Sequence, residues 1–73
     1  MESLVVGIAG MHCQGCVNNV TRVLRALPGV SGVKVSLEEA RAEIAYDPLL
    51  VQPAQFREAI EDAGFDVTGG VPG

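Results

Sequence analysis

The chain has 73 residues, 48% hydrophobic and 19% charged, which is one small domain burying about 60% of the surface its unfolded chain exposes. That composition excludes a disordered chain, and the apolar runs are too short to insert in a bilayer. A net charge of −4 argues against nucleic acid and anionic membrane surfaces as partners and leaves room for a basic protein partner. Met1 through Val6 shows no basic segment, long apolar stretch or small-residue cleavage site, so no secretory signal is read there. The expected compartment is the cytoplasm, where thiols stay reduced and a close cysteine pair is catalytic or metal-binding rather than a structural disulfide.

Along the chain, Leu4, Val6 and Ile8 alternate with Val5, Gly7 and Ala9, the period of a first strand with its larger side chains on one face. Val17, Val20, Val23, Leu24 and Leu27 then fall at helical spacing, with Asn18, Asn19, Arg22 and Arg25 on the other face. Pro28-Gly29 ends this helix. Val33, Val35 and Leu37 alternate with Lys34 and Ser36, and after Glu38-Glu39 the pattern resumes at Ala42, Ile44 and Tyr46, predicting a hairpin closed off by Asp47-Pro48. Gln52-Pro53 starts a second helix with Pro in its first turn, and Phe56, Ala59, Ile60 and Ala63 form the stripe it buries. Gly64 stops it, Phe65 through Thr68 offers a last short strand, and residues 69–73 read as a flexible Gly/Pro-rich tail to a domain of residues 1–68.

Strand, helix, strand, strand, helix, strand is the split βαβ plan. The expected fold class is therefore α+β and ferredoxin-like, a four-stranded antiparallel sheet with two helices on one face and the other face open to solvent.

Both cysteines and the single histidine lie in Gly10-Met11-His12-Cys13-Gln14-Gly15-Cys16, between the first strand and the first helix. Two cysteines separated by two residues at such a turn can aim both sulfurs at one point. Amide N–H groups at a helix start favour negative charge and so favour the thiolate, the form that binds soft metal. Soft thiolates suit Cu(I), whereas Zn(II) prefers four ligands that this chain does not obviously supply. A dithiol redox protein is the reading from another class. Against it stand the missing flanking Trp, the short chain and the lack of a thioredoxin-length sheet.

The Gly10-Met11 pair, Cys13 and Cys16, the Leu27-Pro28-Gly29-Val30 turn and the late Ala63-Gly64-Phe65 together resemble the heavy-metal-associated domains of copper chaperones and P-type metal ATPases, over residues 4–68. The resemblance implies that Cys13 and Cys16 hold Cu(I) in a nearly linear site and hand it by stepwise ligand exchange to a related domain of a copper-transporting ATPase. It implies no covalent chemistry on a substrate, and so no enzyme. Zn(II) and Hg(II) are the alternative metals. His12 departs from the small hydroxyl residue usual at that position and from the aspartate of zinc-associated relatives; it is either a third ligand or a side chain in solvent. Met11 is expected to be buried as structure, Phe65 to shield the site or fill the core, Gly10 and Gly15 to supply loop freedom, and Gln14 to face a partner. The apo chain is expected to be a monomer, and a two-sulfur site leaves copper unsaturated enough to bridge two copies into a dimer.

Overall fold

Alternation of apolar and polar residues builds the sheet from its two middle strands outward. In the computed structural model, which describes residues 2–70, β1 (Glu2–Ala9) pairs antiparallel with β3 (Arg41–Tyr46) in a register that sets Leu4 opposite Ile44 and Val6 opposite Ala42. β2 (Val30–Ser36) lies along the other edge of β3, and β4 (Asp66–Gly69) along the other edge of β1, giving the order β2-β3-β1-β4. With α1 (Gln14–Arg25) after β1 and α2 (Pro53–Asp62) after β3, this is the expected ferredoxin-like α+β fold.

The period of two in each middle strand puts Val6, Ile8, Ala42, Ile44 and Tyr46 on one face, where they meet Val20 and Leu24 of α1 and Phe56 and Ile60 of α2. α1 contacts β2, α2 contacts β4, and the helices touch each other. The opposite face carries exposed Val5, Lys34, Arg41 and Glu43. Phe56 has no exposed surface and meets the Tyr46 ring edge to face, with centroids 4.9 Å apart. That contact joins the second helix to the middle of the sheet, and such a pair adds about 0.5–1.5 kcal/mol beyond simple burial.

Local chemistry places the boundaries. Pro53 opens α2 where its missing N–H is no loss, and the Gln55 side chain reaches back to accept the Gln52 N–H at 2.9 Å. Leu37, expected in the second strand, lies instead in the turn after it and is exposed. There Ser36 Oγ accepts the Glu39 N–H at 3.2 Å and Ala40 takes a left-handed backbone with φ 54°, so the chain reverses before Leu37 can pair. β2 begins earlier than the alternation suggests, at Val30, with an irregularity between Val30 and Gly32 that masks its period of two.

Two departures lie at the ends of α2. Val51, in the segment before the helix, is 1% exposed and belongs to the core, although nothing around it repeats. It is folded inward by a turn in which Asp47 O accepts the Leu50 and Val51 N–H groups at 3.0 and 3.1 Å. That turn is wedged against Gly29, which has φ +88° and where any Cβ would come within 2.7 Å of Leu50 Cβ. The last strand starts at Asp66, one residue after the buried Phe65, and Gly69, read as the start of a tail, ends it opposite Gly7. Residues 71–73 of that tail lie outside the described residues.

Candidate metal centre

At the carboxyl end of β1 the backbone leaves the sheet through Gly10, whose φ of +98° turns the chain over the ring of Phe65. A Cβ at Gly10 would rest 3.5 Å from Phe65 Cδ1. Phe65 is a core residue that supports the root of the loop, and Met11 is half-buried against the same core. His12, next in line, is exposed.

Cys13 is the N-cap of α1, with extended backbone (φ −155°, ψ 171°), and its carbonyl accepts the N–H groups of Cys16 at 3.0 Å and Val17 at 3.3 Å. Its thiol makes no capping bond, and no acidic residue stands in the first turn. The positive end of the helix therefore faces the two sulfurs without a carboxylate to compensate it. Cys13 Sγ lies 3.6 Å from Cys16 Sγ, and both thiols are free. Cys13 is exposed and Cys16 half-buried.

The two sulfurs are not equivalent. Cys16 is held below the ordinary thiol value of 9.0, first by the backbone amide of His12, then by the Cys13 side chain, against an upward push from burial; the Cys13 backbone adds a further lowering. Among the described residues no three His, Cys, Asp or Glu side chains gather closely enough to hold a metal ion, so the structure brings Cys13 and Cys16 together and does not bring the His12 imidazole to them.

The flank of the site is helical. Gln14 is exposed, and its Nε2 donates to Asn18 Oδ1 at 3.3 Å, one turn along α1. Gly15, expected in a loop, is the second residue of α1, because the helix begins directly after Cys13. Two thiols on a helix N-terminus, one exposed and one half-buried, can bind a soft cation as a chelate or close to a disulfide. They offer no third donor for a metal that demands four.

This fold and this loop define a small ferredoxin-like domain with a free thiol pair, and comparison with known proteins gives the class its name. Residues 5–66 match the heavy-metal-associated domain, and the chain belongs to that family. It is 46% identical over 65 residues to copper-transporting ATPase 1 of the rat, an alignment covering 89% of this chain and 4% of that protein. The chain thus spans a small fraction of the ATPase relatives it matches. Its fold superposes on the CopZ metallochaperone with a TM-score of 0.90 at 33% identity, covering 92% of this chain and 100% of the other. The yeast copper transporter domain Ccc2a, solved in apo and Cu(I)-loaded states, superposes with a TM-score of 0.87 at 32% identity over 96% of this chain and 99% of its own.

Proposed function

We propose that the chain binds one Cu(I) between Cys13 Sγ and Cys16 Sγ and passes it, by thiolate exchange, to or from a homologous domain of a copper-transporting P-type ATPase. The observation that carries this reading is the pair of free sulfurs 3.6 Å apart on a helix N-terminus, where among the described residues no third His, Cys, Asp or Glu side chain gathers with them. Two metal–sulfur bonds of about 2.3 Å span at most about 4.6 Å, so the pair is within chelating distance, and exposed Cys13 has the freedom to widen it. Low coordination suits Cu(I) and leaves Zn(II) short of ligands, and the relatives named above are a copper-transporting ATPase, a metallochaperone and a copper transporter domain. On this reading the chain is a binding module working in a reducing compartment such as the cytoplasm, and copper leaves in the oxidation state in which it arrived.

Anaerobic titration of the reduced chain with Cu(I), followed by competition with Zn(II) and Hg(II), tests the proposal. One Cu(I) per chain, not displaced by equimolar Zn(II), is the expected result; preferential retention of Zn(II) would overturn it. Hg(II), equally content with two soft ligands, is expected to compete well.

His12→Ala separates a ligand from a bystander. The imidazole stands in solvent outside the sulfur pair, so Cu(I) affinity is expected to stay within about twofold of wild type. A loss of about tenfold or more in Zn(II) affinity would make His12 a third donor.

A copper ion held by two sulfurs in an exposed loop has room for a third. Copper-loaded chain at high concentration is therefore expected to form a dimer sharing thiolates across the two loops, while apo chain stays monomeric. Sedimentation of apo and loaded protein side by side checks this, and an unchanged monomer mass on loading would count against it.

A further inference from the structure

Gly15 is a glycine that the fold does not require. It is the second residue of α1 with an ordinary helical backbone, unlike Gly29, where both φ and the Leu50 side chain exclude any other residue. A methyl group built at position 15 would meet one atom among the described residues outside its sequence neighbours and its own helix backbone: Cys13 Sγ, at 3.7 Å, an ordinary van der Waals contact. Alanine would thus fit without strain, and it is the better helix former. What a side chain here would change is the surroundings of one sulfur.

That sulfur is the one an incoming ligand meets. Cys13 is exposed, whereas Cys16 is half-buried. We infer that Gly15 is an access residue: by presenting no side chain beside Cys13 Sγ it leaves the path open for an acceptor thiolate, and so sets the rate of metal exchange without setting the affinity. The inference rests on the Cu(I) reading above. In the exchange step an acceptor thiol that has given its proton to solvent forms a new Cu–S bond, and the Cys13–Cu bond breaks. Cys13 departs as a thiolate and takes a proton from solvent; copper stays Cu(I) and no electron moves. The side chain at position 15 adjoins the sulfur whose bond breaks, so its bulk crowds the three-sulfur intermediate more than the two-sulfur resting state.

Self-exchange tests this with the chain itself as acceptor. Unlabelled wild type, Gly15→Ala and Gly15→Leu are loaded with Cu(I) anaerobically, each is mixed with equimolar apo 15N-labelled wild type, and arrival of copper on the labelled chain is timed by NMR. The final partition reads affinity and the approach to it reads access. Partition near one to one is expected for every donor, with exchange slowed modestly for Gly15→Ala and about tenfold or more for Gly15→Leu. The melting temperature of apo Gly15→Ala is expected to equal or exceed that of wild type. A Gly15→Leu donor as fast as wild type would overturn the inference, as would slowing matched by lost affinity or lost stability in Gly15→Ala, which is what a structural role produces. Wild type that takes up no Cu(I), or holds it and releases none, would overturn the copper reading and the role of Gly15 with it; equal rates among competent donors would overturn Gly15 alone.

Discussion

Replacing Cys16 by serine is expected to lower Cu(I) affinity by at least about three orders of magnitude, about 4 kcal/mol, with Cys13→Ser losing a comparable amount. The chelate depends on both sulfurs, and among the described residues no other His, Cys, Asp or Glu side chain stands by to replace either. A serine hydroxyl is not a thiolate at neutral pH, and one remaining cysteine holds copper no better than any other thiol in solution. The two variants should nevertheless differ in a second readout. Cys13 is the N-cap of α1 but makes no side-chain cap bond, and serine is among the preferred N-cap residues. Cys13→Ser is therefore expected to stabilise the apo fold by about 0.5–1 kcal/mol while losing its metal. Cys16→Ser, inside the first turn and half-buried, gains no such bond and should melt at or slightly below wild type. Competition against a Cu(I) chelator together with thermal melts of the apo proteins checks both halves. Affinity within tenfold of wild type in either variant would mean that copper sits elsewhere.

That contrast shows what the sequence could and could not disclose. Cys13 and Cys16 were legible because their chemistry is in the side chain and their spacing is short. The difference in their exposure is not legible, because it depends on how the first turn of α1 sits on the core, and the backbone amide that lowers the Cys16 pKa is a group every residue but proline carries and no residue type signals. Gly15 was misread for a related reason: glycine beside a motif suggests a loop, and only the position of the first helical turn shows it in α1. In the fold, the middle strands and both helices were plain because their periods are unbroken over several residues, as in Ala42, Ile44 and Tyr46. Val51 was hidden because one buried residue in a turn has no period; its burial is set by the Asp47 carbonyl and by the wedge at Gly29, a contact made far along the chain. Leu49 and Leu50 in the same turn are 91% and 62% exposed, so hydrophobicity alone does not single out Val51 as the core member of Leu49-Leu50-Val51.

Phe56→Ala is expected to have the largest effect on stability, about 3–5 kcal/mol, because the ring is wholly buried between α2 and the sheet and its removal leaves a cavity that the surrounding strands cannot close. A domain of 73 residues has about 4–11 kcal/mol in total, so the loss takes most of the margin at the lower end of that range and leaves a folded, weakened domain at the upper end. Phe56→Leu, which retains most of the volume and loses the edge-to-face contact with Tyr46, should lose about 1–2 kcal/mol and remain folded. Urea titration of the three proteins reads this as a falling midpoint at a constant slope for Phe56→Leu; a loss below about 1.5 kcal/mol for Phe56→Ala would mean the ring is not the link between helix and sheet. The metal centre offers a second reading of the same variant. Phe56 packs on Tyr46, and Tyr46 pairs with Glu2 at the start of β1, whereas the sulfurs follow the other end of that strand. The folded fraction of Phe56→Ala should then bind copper as wild type does. Because Cu(I) favours the state in which the two sulfurs are already placed, loading should raise the midpoint of Phe56→Ala and wild type by similar free energies, by mass action alone. A loaded variant that gains no stability, although its folded fraction binds copper, would show that the unfolded chain holds the metal equally well. The sulfurs would then be brought together by the short Cys13-Gln14-Gly15-Cys16 spacing rather than by the start of α1.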